Sequence, residues 1–260
     1  MAISLDSISK PQSKPIMATI LGEAGTGKTT FAANFPSPIF IRAEDGLTSL
    51  ENRDGIEAFP LISNTNEVFE GINVLATQDH DYKTLIIDSV TKLNEMFEKE
   101  VVESDPKKPR SINQALSGYG AGHAAVAEKH RTLRNWCESL RAAKGMNIIF
   151  IAHADNETIE LPDQDPYTRY TLRLNKRSVS SYVDNVDLVG LVRLRTFTTG
   201  DGERKKATSD GARELVCTAL ASSVSKNRYG ITKTLPLGEF ENPLIDYVPW
   251  LQQYAAQQAK

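Results

Sequence analysis

The chain has 260 residues, 40% hydrophobic and 24% charged, which suits one large α/β domain with its own core and small appendages. Thirty Lys and Arg against 33 Asp and Glu leave a formal charge of −3, so no global field draws it to nucleic acid or to an anionic membrane. Any DNA contact has to come from a local patch. The two cysteines, Cys137 and Cys217, lie in apolar or amphipathic segments without a C-x-x-C pair or a histidine cluster, which predicts buried, reduced thiols and argues against a disulfide framework or a zinc site.

The opening MAISLDSISK has no basic stretch leading into an apolar core, and no apolar run approaches the ~18 residues of a spanning helix. The expectation is a cytoplasmic protein with no membrane partner. Residues 1–15 are polar and read as an arm, whose Ile3, Leu5 and Ile8 could dock on a neighbouring subunit.

From Ile16 the pattern becomes regular. IMATIL predicts a buried strand, GEAGTGKT a loop, and TFAANF a helix that stops before Pro36 and Pro38. IFIRA (39–43) is a second strand and IEAFPLI a weaker third. Thr65 to Gln78 has helical spacing, KTLIIDSV (83–90) is a strand, and a helix follows around 92–102. Residues 103–120 have loop composition. The long helical pattern of 121–144 ends at Gly145, and NIIFIA (147–152) is the next strand. The polar run 154–177 reads as a loop or a protruding hairpin. VDLVGLVRLRTFT and ARELVCTAL then flank the turn GDGE, and ITKTLPL follows KNRYG.

Alternating strands and helices predict an α/β fold: a mostly parallel sheet with helices on both faces and an antiparallel β extension toward the C-terminus. The organisation expected is an arm (1–15), a core (16–240) and a helical tail (241–260).

GEAGTGKT fits G-x-x-x-x-G-K-[ST] between a strand and a helix, the context that motif requires. In such a loop, backbone N–H groups of Gly22, Glu23, Ala24, Gly25, Thr26, Gly27, Lys28, Thr29 and Thr30 converge on phosphate oxygens. Lys28 reaches the β and γ phosphates of ATP, and the Thr29 hydroxyl can ligate Mg²⁺. Asp88, ending the strand LIID, is the carboxylate expected to complete the magnesium site, with a helix N-cap as its alternative role. Glu44 ends the strand after the phosphate-loop helix and is a candidate to orient the attacking water; on spacing alone Asp45 is its rival.

This arrangement resembles the RecA/DnaB class of P-loop ATPases from about Ile16 to Leu237. The resemblance implies a RecA-like core, catalytic roles for Lys28 and Glu44, and a γ-phosphate sensor at the end of IIFIAH. The sensor is usually Gln in that class, and His153 departs from the pattern. Two loops of the class bind single-stranded DNA, and here they correspond to 103–118 and 154–177. Their candidate residues are Lys107, Lys108 and Arg110 in the first, and Tyr167, Arg169, Tyr170, Arg173, Lys176 and Arg177 in the second. Basic side chains interleaved with aromatics hold phosphates and stack bases. Five acids in DNETIELPDQD oppose that use, unless they pair with the basic half across a hairpin.

The closest resemblance is to small phage-encoded RecA-core ATPases of single-strand annealing (the Sak type). KNRYG is similar to the KNRFG motif of bacterial RadA and to the Lys-x-Arg finger of DnaB-type helicases. That implies Lys226 and Arg228 reaching a neighbour's γ-phosphate in a homo-oligomeric ring or filament. A DNA-stimulated ATPase for annealing or strand exchange, with a single-strand-binding protein as a further partner, is the leading expectation. A nucleotide-switched loading ATPase and a small-molecule kinase are the alternatives.

Overall fold

A computed structural model of the chain describes residues 4–10, 12–199 and 206–258. Its elements in chain order are β1 (Met17–Gly22), α1 (Lys28–Ala32), β2 (Pro38–Arg42), β3 (Glu57–Ala58), α2 (Asn66–Thr77), β4 (Thr84–Asp88) and α3 (Val90–Ser104). The second half comprises α4 (Ala121–Lys144), β5 (Asn147–Leu161), β6 (Gln164–Leu172), α5 (Lys176–Val183), β7 (Leu188–Thr199), β8 (Lys206–Val216), β9 (Lys226–Asn227), β10 (Leu235–Leu237) and α6 (Pro249–Gln258).

The sheet runs β10-β8-β7-β1-β5-β4-β2-β3, with β6 paired to β5 and β9 to β7. Strands β7, β1, β5, β4, β2 and β3 are mutually parallel; β8 and β9 pair antiparallel with β7, and β10 pairs antiparallel with β8. This is the α/β architecture that the strand and helix pattern predicts.

The parallel strands read as continuous apolar runs because both faces of the sheet are covered. Side chains alternate between two cores. Met17, Leu21, Ile148, Phe150 and Ala152 pack under α2–α5, whereas Ala18, Ile20, Ile149 and Ile151 pack under α1 and the C-terminal segment. Phe150 is fully buried, and truncating it to alanine would cost about 3–5 kcal/mol. Residues 241–258 contribute Leu244, Val248 and Leu251 to the second core, so the tail packs as part of the sheet's cover.

Local signals account for the boundaries. Ser89 caps α3, its hydroxyl accepting from the Lys92 N–H at 3.2 Å, which leaves Asp88 free of a capping role. Gly145 ends α4 at φ 66°, a conformation that glycine adopts without strain. Both cysteines are buried, and burial pushes their thiols up.

Of the two readings of 154–177 the hairpin holds, but its last residues differ from both: Lys176 and Arg177 open α5, which Asn175 caps by accepting from the Arg177 N–H at 3.1 Å. Lys226 and Asn227 of KNRYG pair with Val189 and Leu188 as β9. The third strand shrinks to the two residues of β3. The turn GDGE and Ile3 lie outside the described residues; Leu5 and Ile8 are exposed at 84% and 75%.

Candidate functional site

The strand order builds the site. β5 lies between β1 and β4, in register Gly22↔His153 and Asp88↔Ile151, so its end projects between the phosphate loop and the Asp88 strand. The carboxyl ends of β1, β2, β4 and β5 thereby bring Gly22, Arg42, Asp88 and His153 to one edge of the sheet, the edge where ligands of open α/β sheets bind.

The loop 22–30 curls over that edge. Gly25 and Gly27 have φ of 75° and 90°, and a Cβ on Gly22 would stand 2.4 Å from the Val192 carbonyl oxygen, so these glycines are dictated by backbone shape and close packing. Lys28 is buried and donates to the Glu23 carbonyl at 2.8 Å, while the Thr26 hydroxyl donates to the same carbonyl at 2.9 Å. Burial holds the Lys28 ammonium below the ordinary lysine range, against the pull of Asp88 and Glu44. A cleft of about 400 Å³ is lined by Ala24, Gly25 and residues 27–30 of the loop together with Glu44, Asp45, Asp88, His153 and Arg213.

Around it the polar groups interlock. The Thr29 hydroxyl donates to Asp88 Oδ2 at 2.8 Å, and burial raises the Asp88 carboxyl to about 6 although this hydrogen bond opposes the shift. Two oxygens at hydrogen-bond distance, backed by a phosphate-binding loop, make a donor set that fits Mg²⁺, which takes one or two protein oxygens plus phosphates and water. Glu44 Oε1 accepts from His153 Nε2 at 3.1 Å, and that bond is the main reason its carboxyl lies below the usual range. Asp45 also lines the cleft; its carboxylate is exposed at 71% and pairs with Arg42 at 3.4 Å.

A family model described as an AAA domain matches residues 14–229. The chain belongs to this AAA-domain family. No curated protein matches it. The match spans the sheet from β1 to the KNRYG segment, and membership makes the chain an AAA-type P-loop ATPase domain, the class of its nucleotide site.

Within the AAA domain, the basic pair of KNRYG lies far from its own phosphate loop. The Arg228 N–H donates to the Asp187 carbonyl at 3.1 Å, and the Asp187 N–H to the Met17 carbonyl at 2.8 Å, which fixes the segment beside the first residue of β1. The loop begins at the other end of that six-residue strand, roughly 17 Å away at ~3.3 Å per residue. Lys226 Nζ donates to the Asp184 carbonyl at 2.9 Å, and exposed Arg228 pairs with buried Asp187 at 3.0 Å. Asp187 also accepts from the Met17 N–H at 3.1 Å and from buried Arg141. Gly230 turns the chain at φ 68°, and Tyr229 packs against the second core.

Arg177, the last residue of the second candidate DNA loop, donates from Nη1 to the Gly120 carbonyl at 2.8 Å, two residues past the first. Lys107, Lys108 and Arg110 are exposed; Lys107 also donates to the Ser117 hydroxyl at 3.0 Å. The hairpin divides its two tyrosines between opposite faces. The register Glu157↔Arg169 and Ile159↔Tyr167 shares one face, whereas Asn156↔Tyr170 continues the face of buried Ala154 and Leu172. Tyr170 therefore packs on the core, and Arg169 is held by Glu157 at 2.8 Å. Arg173 donates from its guanidinium to the Ala154 carbonyl at 3.2 Å and from its backbone N–H to the His153 carbonyl at 2.9 Å, next to a histidine that lines the cleft. Lys176 is exposed at the start of α5.

Sequence reasoning passed over three residues here. Tyr119, one residue past the first loop, is fully exposed, and its position between two glycines was a legible signal. Thr91 accepts from the His153 N–H at 2.9 Å and fixes the end of β5. Arg213 reaches the phosphate loop from β8, a placement that depends on long-range pairing. A larger cleft of about 1130 Å³, lined by Arg53, Glu57, Phe59 and Tyr82 among others, opens beside β3 and the starts of β2 and β4. It has no phosphate-binding loop and lies at the opposite edge of the sheet. Among the described residues no helix is long and apolar enough to cross a membrane.

Proposed function

We propose that the chain is a RecA-like, oligomeric ATPase that binds single-stranded DNA and promotes annealing or strand exchange. The observation that carries the reading is the opposition of two features across one sheet. Lys28, Thr29, Asp88, Glu44 and His153 gather at one edge, and Lys226 and Arg228 stand at the other. A basic pair that cannot reach its own nucleotide is suited to a neighbour's.

In this reading the loop N–H groups and Lys28 hold the β and γ phosphates of ATP. Thr29 and Asp88 would hold Mg²⁺, which when bound neutralises developing phosphate charge. Glu44, kept ionised by His153, orients a water so that its oxygen attacks the γ-phosphorus while the bond to the β-bridging oxygen breaks. ADP and phosphate leave, and the water's proton passes through the Glu44 carboxylate to solvent. Lys226 and Arg228 of an adjacent subunit neutralise the transition state, a contribution that reaches ~10³ to 10⁵ in rate for P-loop enzymes. Exposed Lys107, Lys108, Arg110, Tyr119 and Lys176 are the groups best free to meet DNA.

A second reading, a loading ATPase whose partner protein holds the DNA, is favoured by the hairpin. Arg169 is already paired, and Asp155, Glu160, Asp163 and Asp165 remain exposed. The ATPase rate with and without single-stranded DNA, measured beside mass by light scattering, separates the two. Stimulation in an oligomer supports the first reading. A monomer whose turnover ignores DNA overturns it.

A further inference from the structure

β7 serves as a ruler along which the second half of the chain is placed. Its start, Leu188, pairs with Asn227 of the KNRYG segment, whereas Leu194, further toward the phosphate-loop edge, pairs with Arg213 of β8. Arg213 thus stands at the edge where β1 delivers its loop. A Cβ on Gly27 would meet Arg213 Cδ and Nε at 3.0 Å each and Cζ at 3.3 Å, so the guanidinium lies directly against the loop. It lines the same cleft as Lys28, Thr29, Glu44, Asp88 and His153.

The company it keeps on the hairpin is informative. Arg193 pairs with Glu214 at 2.8 Å, and Arg195 pairs with Asp210. Arg213, exposed between those pairs, has neither a hydrogen bond nor an ion pair among the described residues. Strand alternation sends Glu214 to the opposite face, so the arginine meets the loop without a carboxylate beside it on its own strand. A triphosphate entering this cleft carries several negative charges, and the carboxylates of Glu44, Asp45 and Asp88 add three more, against which Lys28 is the sole lysine in the lining. A guanidinium is the side chain best shaped to take phosphate oxygens in a fixed fork.

We propose that Arg213 is a phosphate-binding residue of the nucleotide site, acting in cis on the ATP held by its own loop. Two arginines then serve each ATP in the oligomer, Arg213 from the same chain and Arg228 from the next. The inference rests on the reading of residues 22–30 as the phosphate loop. It does not depend on DNA or on oligomer formation.

The test is displacement of a fluorescent ATP analogue from the full-length chain by ATP and by inorganic tripolyphosphate, at low and high protein concentration. Loss of a charge-assisted hydrogen bond predicts that Arg213→Ala weakens both competitors about 10-fold or more, equally at both concentrations, with Arg213→Lys recovering part of the loss. Unaltered thermal unfolding of the ligand-free variants establishes that the fold is intact. Unchanged tripolyphosphate affinity in Arg213→Ala overturns the proposal, and a loss confined to ATP would move the arginine to the base and overturn it too. Retention of both ligands by Lys28→Ala would instead remove the phosphate-loop reading underneath.

Discussion

His153 Nε2 lies 3.1 Å from Glu44 Oε1, and the backbone N–H of the same histidine is fixed by the Thr91 hydroxyl at 2.9 Å. The histidine thus ties the end of the strand nearest the phosphate loop to the carboxylate best placed to address a water. Glu44→Gln should retain ATP affinity and lose about 10²- to 10⁴-fold in kcat, the usual worth of a positioned acid or base. His153→Gln keeps a hydrogen-bond donor at the strand end and should retain far more activity than His153→Ala. Equal rates for the two variants would show that the donor is irrelevant.

The basic pair at the far edge makes a prediction that only mixed assemblies can test. Arg228→Ala and Lys28→Ala subunits should each be inactive alone. Combined, they form some interfaces that join an intact loop to an intact finger, and part of the turnover should return. Mixtures that stay silent while light scattering shows co-assembly would confine Arg228 to its contact with Asp187.

The candidate DNA residues divide into free and engaged groups. Lys108→Ala should weaken single-strand binding and lower the magnitude of the salt slope by about 0.7 for each phosphate that the lysine neutralises. Tyr119→Ala should cost about 1–3 kcal/mol if bases stack on it. Arg169→Ala, whose guanidinium already belongs to Glu157, should disturb the hairpin and leave the salt slope unchanged. Filter binding or fluorescence anisotropy across a salt series reads all three.

Buried His130 sets an acid limit on stability. Its ring lies between the Tyr182 hydroxyl at 2.7 Å and Asn94 Oδ1 at 3.1 Å, and burial pushes its pKa down to about 3. A group whose folded pKa is depressed leaves stability intact above its unfolded pKa of ~6.5 and erodes it as pH falls below that value. Between about pH 6 and 4 this one group should remove about 1.4 kcal/mol per pH unit. His130→Gln should show a shallower slope in urea denaturation across that range, and parallel slopes would refute the assignment.

Much of the site was legible because it is local. The phosphate loop, the strand ending at Asp88 and the stop at Gly145 each depend on a few consecutive residues whose backbone demands are written in their side chains. Helix α5 was also legible in principle: Asn175 precedes apolar Val179, Tyr182 and Val183 at helical spacing, but the polar run before it hid the signal. What could not be read were relations between distant segments. Whether Tyr167 and Tyr170 share a face depends on the hairpin register, and whether Arg213 meets the loop depends on how β8 pairs with β7. The pairing of Asp45 with Arg42, three residues before it, leaves Glu44 as the acid that meets His153, a contact with a residue 109 positions away.

The separation of Arg228 from its own loop has a kinetic corollary. In the proposed oligomer, subunits joined through it would add head to tail, which yields a ring when the rotation closes and a filament when it does not. In any open chain the last phosphate loop faces solvent with no finger opposite it. That terminal subunit would hold its ATP unhydrolysed while interior sites turn over. One end would then keep a nucleotide cap, and growth and loss of subunits would proceed at different rates from the two ends.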